Sequence, residues 1–86
     1  MVSDLEKAKI MLKLVRKGNW NHSYDRREHF KRFQDLDDSI KELHKKGWII
    51  FHKKPKFEAY SLETKYKREI IDFIEKNIPE VRGTIR

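Results

Sequence analysis

The sequence predicts an α+β domain, mainly helical, in the order helix, helix, helix, strand, strand, helix. Three observations carry that expectation. Apolar residues recur at helical spacing over residues 5–15, again over 36–43 and again over 66–78. Two short β-prone runs, 48–51 and 57–62, stand before the last of these stretches and are joined by a turn that contains Pro55. Gly18, Gly47 and Pro79 sit where the helical patterns stop.

The first helix starts at Ser3. Ser3 and Glu6 have the spacing of a capping box, in which the hydroxyl serves a free backbone N–H and the carboxylate reaches back. Leu5, Ala8, Met11, Leu12 and Val15 form its apolar stripe. Gly18 and Asn19 end it, since both tolerate the left-handed backbone that follows a helix. Residues 19–24 read as a loop carrying Trp20. A shorter second helix follows, capped by Ser23 or Asp25, with Asp25 and Glu28 as another box and Tyr24, Phe30 and Phe33 inward. The third helix is capped by Asp35, turns Leu36, Ile40 and Leu43 to one buried face, and stops at Gly47. The runs 48–51 and 57–62 then make a hairpin around the turn 52–56. The last helix starts near Glu63 or Thr64. Tyr66, Ile70, Phe73 and Ile74 mark its inward side, with Ile71 and Ile78 beside it. The expected domain is 1–78, with residues 79–86 as a flexible C-terminal tail.

Eighty-six residues suit one compact domain and leave little apolar material for a deep substrate pocket. Charged residues make up 41% of the chain, but its ten aromatics and their regular spacing argue against disorder. The absence of cysteine excludes disulfide scaffolds, thiolate zinc sites and cysteine nucleophiles. No apolar run approaches the ~20 residues of a membrane span. The first residues lack a signal-peptide pattern, so the expectation is a cytoplasmic protein with no membrane partner. The formal net charge of +7 attracts polyanions such as nucleic acid.

The run Leu36-Asp37-Asp38-Ser39-Ile40-Lys41-Glu42-Leu43-His44-Lys45-Lys46-Gly47-Trp48-Ile49 resembles the second half of a winged helix-turn-helix domain. In that family a recognition helix with spaced apolar residues ends at a glycine and enters the first wing strand through an aromatic or aliphatic pair. Ile40, Leu43, Gly47, Trp48 and Ile49 hold those places. Tyr60-Ser61-Leu62 followed by Glu63-Thr64 is similar to the end of the second wing strand and the cap after it. The resemblance is close over residues 35–78 and loose over 1–34. It implies three helices, a two-stranded β wing and a C-terminal helix, as in small archaeal and bacterial regulators. It also implies binding to duplex DNA as a transcriptional regulator.

Charge distribution refines the expected contacts. Residues 1–34 carry nine basic and four acidic side chains, whereas 35–47 carry three and four. The surplus therefore lies before the expected recognition helix, and in the wing, rather than on that helix. Arg26, Arg27, Lys31 and Arg32 form the densest basic patch, on the helix that this resemblance lays across the DNA backbone. Lys41 and Lys45 face the same way on the third helix. Lys53, Lys54 and Lys56 would project at the hairpin tip, where lysine also blocks edge-to-edge aggregation. Asp35, Asp37 and Asp38 suit the helix N-terminus but would repel phosphates. Trp20, Trp48, Phe57 and Tyr60 could stack bases, although Trp48 and Tyr60 are expected in the core.

His22, His29, His44 and His52 form no tight ligand pair, and no phosphate loop or nucleophile elbow occurs. The expectation is a binding protein with no enzyme activity, no metal and no cofactor. Apolar residues on more than one side of the last helix make it a candidate homodimer contact. A winged helix used for protein–protein interaction, favoured by the acidic third helix, and an RNA-binding module are the alternatives.

Overall fold

In the computed structural model, which describes residues 3–84, the chain opens with helix α1 (Asp4–Arg16). Ser3 caps it by accepting from the Glu6 N–H at 3.1 Å. The face that enters the core is broader than the expected stripe and shifted from its ends. Ala8, Met11 and Leu12 are buried as expected and Ile10 and Leu14 are fully buried with them, while Val15 is half-buried and Leu5 is 45% exposed. The buried face takes in 7, 8, 10, 11, 12 and 14, and its first position is Lys7, which disguises it in the sequence. Gly18, at φ +68°, turns the chain out of α1.

The segment expected to form a second helix does not do so. It contains a two-residue strand, β1 (Asp25–Arg26), and a 3₁₀ turn over Arg27–Phe30. The physical reason is its supply of inward residues. Phe30 and Phe33 are buried, but Tyr24 is exposed, so the segment lacks the sustained apolar face that holds an α-helix on a core. The edge of the sheet then captures the backbone of Asp25 and Arg26.

Helix α2 (Leu36–Lys45) buries Leu36, Ser39, Ile40 and Leu43. Gly47, at φ +81°, leads into β2 (Ile49–Lys53), which pairs antiparallel with β3 (Glu58–Leu62). The strand order is β1-β3-β2, so the expected two-stranded hairpin is part of a three-stranded antiparallel sheet. In register, Arg26 and His52 both face Ala59, while Asp25 and Phe51 both face Tyr60. Tyr60 and Leu62 therefore point to the core, and Ala59 and Ser61 point to the opposite face of the sheet.

A 3₁₀ turn over Thr64–Tyr66 precedes α3 (Lys67–Asn77). Ile70, Ile74 and Ile78 join the core, and Phe73 packs edge-on against Trp48 with ring centroids 5.4 Å apart. Beyond the expected domain limit at residue 78, the chain makes a further 3₁₀ turn over Pro79–Val81 and buries Val81. Residues 79–81 thus belong to the packed domain and not to a tail. The result is a small α+β domain of three α-helices and a three-stranded sheet, with the core between the helices and one sheet face. Among the described residues no helix is long and apolar enough to cross a membrane.

Candidate nucleic-acid interface

The N-terminus of α2 is organised from outside. Asp35 makes no side-chain capping bond. Glu6 of α1 supplies the acceptor: its carboxylate receives the Asp35 N–H at 3.2 Å and the Ser39 hydroxyl at 3.3 Å. A carboxylate there also suits the positive end of the helix dipole. Lys7, 6% exposed, reaches Glu42 of α2 at 2.6 Å and Asp4 at 3.6 Å, which locks α1 to α2. These contacts fix the outer face of α2, on which Asp37, Lys41 and Lys45 follow at intervals of four.

Beyond α2, the hairpin narrows to residues 54–57, closed by the Lys54 N–H donating to the Phe57 carbonyl at 2.9 Å. Lys53, Lys54 and Lys56 are all exposed at this tip. None of them, nor Lys41 or Lys45, forms an ion pair among the described residues. On the other side of β2, His44 of α2 stacks on Phe51 with centroids 4.3 Å apart, tying the strand to the helix.

The expected patch of residues 26–32 is divided. Arg27 pairs with Asp37 and donates to the Tyr60 hydroxyl at 2.9 Å. The Asp37 hydrogen bond holds the guanidinium above its ordinary pKa, and the same bond holds the Asp37 carboxyl below its own. Arg26 lies 3.5 Å from Glu28 and stacks over the Phe57 ring at 4.3 Å. With Lys31 they line a cleft of about 600 Å³ shared with Asp35, Asp37 and Asp38. Arg32 turns the other way, into a groove of about 860 Å³ along α1. Lys9, Lys13, Arg16 and Lys17 line that groove with it, and Glu6 is its one carboxylate. Sequence reasoning did not select these four cations, though the basic excess of residues 1–34 was the signal for them.

Some of the groove's charge is already engaged. Lys17 lies 3.3 Å from the buried carboxylate of Asp25, which also binds His29. Burial pushes the Asp25 carboxyl up, but His29 and Lys17 outweigh it and leave its pKa below the ordinary value. Lys13 donates to the His29 carbonyl. Arg16, Lys9 and Arg32 make no ion pair among the described residues.

The histidines are dispersed. His29 binds Asp25, His44 stacks on Phe51, and His52 bonds the Ser61 hydroxyl at 2.8 Å. Among the described residues no three His, Cys, Asp or Glu side chains are grouped to hold a metal ion. Tyr60 lies in the core as expected, Trp48 is half-buried against it, and Phe57 is half-buried on the outer sheet face. The apolar surplus of α3 is largely absorbed: Ile71 is half-buried, and among the described residues the large apolar side chains left exposed are Leu5, Tyr24 and Phe51. No family model matches the chain, and no curated protein or solved structure is significantly similar to it.

Proposed function

We propose that this chain is a nucleic-acid-binding domain of the winged helix-turn-helix type, which holds duplex DNA and serves as a transcriptional regulator rather than an enzyme. The observation that carries the reading is the hairpin tip. Lys53, Lys54 and Lys56 project there without carboxylate partners among the described residues, beyond a helix that presents Lys41 and Lys45. Strand order β1-β3-β2, with α2 leading into the hairpin, is compatible with a winged-helix layout. The 3₁₀ turn in place of a second helix departs from it and shifts the expected grip. Arg26 and Arg27 are paired with carboxylates, so phosphate contact falls mainly to the five lysines.

Binding of duplex DNA across a salt series tests this reading. Contacts from five lysines give a log–log slope of about −4 to −5. Reversing Lys53, Lys54 and Lys56 to glutamate reduces that slope by roughly 3. Absence of duplex binding at low salt overturns the proposal. A protein partner is favoured by one specific observation: the cleft beside α2 carries Asp35, Asp37 and Asp38 among its lining.

A further inference from the structure

The outer face of the sheet, which the helices leave uncovered, carries an aromatic cluster that the duplex-binding surface does not use. Tyr24 and His52 have ring centroids 4.8 Å apart, and Tyr24 and Phe57 are 5.9 Å apart. The ring planes are tilted by 34° and 37°. Beneath them the central strand offers only small residues, Ala59 and Ser61, both fully buried by what lies over them. Ser61 donates to the Asn21 carbonyl at 2.7 Å, so its oxygen accepts from the His52 Nε2–H. That bond anchors the imidazole in the floor of the cluster. Tyr24 nevertheless stays 37% exposed.

Cations surround these rings. The Arg26 guanidinium lies over Phe57 at 4.3 Å, and Lys54 Nζ lies 5.5 Å from the Tyr24 centroid. Lys56 stands in the same turn. Carboxylates border one side only: Glu28 pairs with Arg26, and Glu58 with Asp35, Asp37 and Asp38 lines the cleft that Arg26 and Phe57 edge, whereas Tyr24 and His52 stand outside that cleft. Rings interleaved with cations on an open surface suit a ligand that is flat and apolar in one part and anionic in the next. Aromatic rings and guanidinium planes accept unpaired bases, and the cations reach the phosphates between them.

We infer that the outer sheet face of β1, β2 and β3 binds unpaired nucleotides, with bases stacked on Tyr24 and on the Phe57–Arg26 pair and phosphates held by Lys54 and Lys56. A paired duplex cannot stack on these rings, because its bases are already stacked on one another. The surface shares Lys54 and Lys56 with the duplex reading but not Lys41, Lys45 or the aromatic rings, so substitutions at the rings and at Lys41 distinguish failure of one reading from failure of the other.

The test uses fluorescence anisotropy with three labelled probes: an unstructured single-stranded DNA of about ten nucleotides, its RNA counterpart, and a hairpin-closed DNA duplex. The unmodified protein binds one or both single strands at low salt, and the DNA and RNA arms show which sugar is preferred. Tyr24→Leu and Phe57→Leu each weaken single-strand binding by about tenfold, leave duplex binding unchanged and keep the melting transition. Tyr24→Phe retains binding. Independently of the variants, titrating the unmodified protein with the single strand moves the ring-proton resonances of Tyr24 and Phe57 upfield. The inference is overturned if neither single strand binds, if the leucine variants bind as the parent does, if duplex and single-strand binding fall together, or if those resonances stay in place. Loss of duplex binding in Lys41→Glu with single-strand binding kept separates the two surfaces.

Discussion

Arg27 pairs with Asp37 across the junction between the 3₁₀ turn and α2, and the same guanidinium donates to the buried hydroxyl of Tyr60. The pair removes one cation and one carboxylate from the field that an approaching phosphate meets. It also explains how three aspartates can crowd the start of α2 without making that end uniformly repulsive.

Separating the two partners has unequal effects. Asp37 is 74% exposed in its side chain, so Asp37→Asn costs only about 0.5 kcal/mol of stability. It frees Arg27 and removes a repulsive charge, and duplex DNA binding tightens by roughly threefold at low salt. Arg27→Ala leaves the Tyr60 hydroxyl unpaired in the core and costs about 1–2 kcal/mol. Urea melts and DNA titrations of the two variants check this asymmetry.

Stability falls with acid in two stages. Burial depresses the pKa of His52 below 6.5, so the unfolded chain takes up that proton first, and stability declines as pH falls from 6.5 towards the folded-state value. Asp25 and Asp37 are held below 3.8 in the folded state. Their contribution is fully present above that value and is lost as pH falls from it through the folded-state values. Melting temperature measured against pH shows both stages. His52→Gln removes the upper one, and Asp25→Asn flattens the lower one.

The Lys7–Glu42 contact is directional in its consequences. Glu42→Ala leaves a nearly buried ammonium with only Asp4, at 3.6 Å, and destabilises by about 2 kcal/mol. Lys7→Met puts an apolar side chain at the head of the buried face of α1 and costs less than about 1 kcal/mol. A larger loss in Lys7→Met than in Glu42→Ala, by equilibrium denaturation, contradicts this account.

Both helix-ending glycines adopt positive φ, but their surroundings differ. A Cβ at Gly47 would lie 3.3 Å from Tyr66 Cε2, whereas one at Gly18 meets nothing within 4 Å. Gly18→Ala therefore costs about 1 kcal/mol from backbone strain alone. Gly47→Ala costs about 2 kcal/mol, because the Tyr66 ring must also yield. Their relative urea midpoints test the order.

What could be read in advance follows the range of the interaction. α1, α2, the hairpin and α3 are specified by periodicity, turn residues and glycines within a few positions of each element. The second-helix expectation failed because Asp25 and Arg26 gain their partners from β3, far along the chain. Glu6 has the spacing of a local capping box, yet its carboxylate serves Asp35 and Ser39 on another helix. The candidate site divides in the same manner. The tip lysines were legible because a proline-containing turn between two β runs must project. The pairing of Arg26 and Arg27, and the separation of Lys31 from Arg32 into different clefts, were not.

By itself, the sequence determined the three principal helices, the hairpin and the basic surplus, since each is encoded by neighbours that are also neighbours along the chain. Only the tertiary structure decided which cations are neutralised, and that Tyr24, His52 and Phe57 share one uncovered sheet face. Those outcomes depend on strand register, and register is set when distant segments meet to bury a common core.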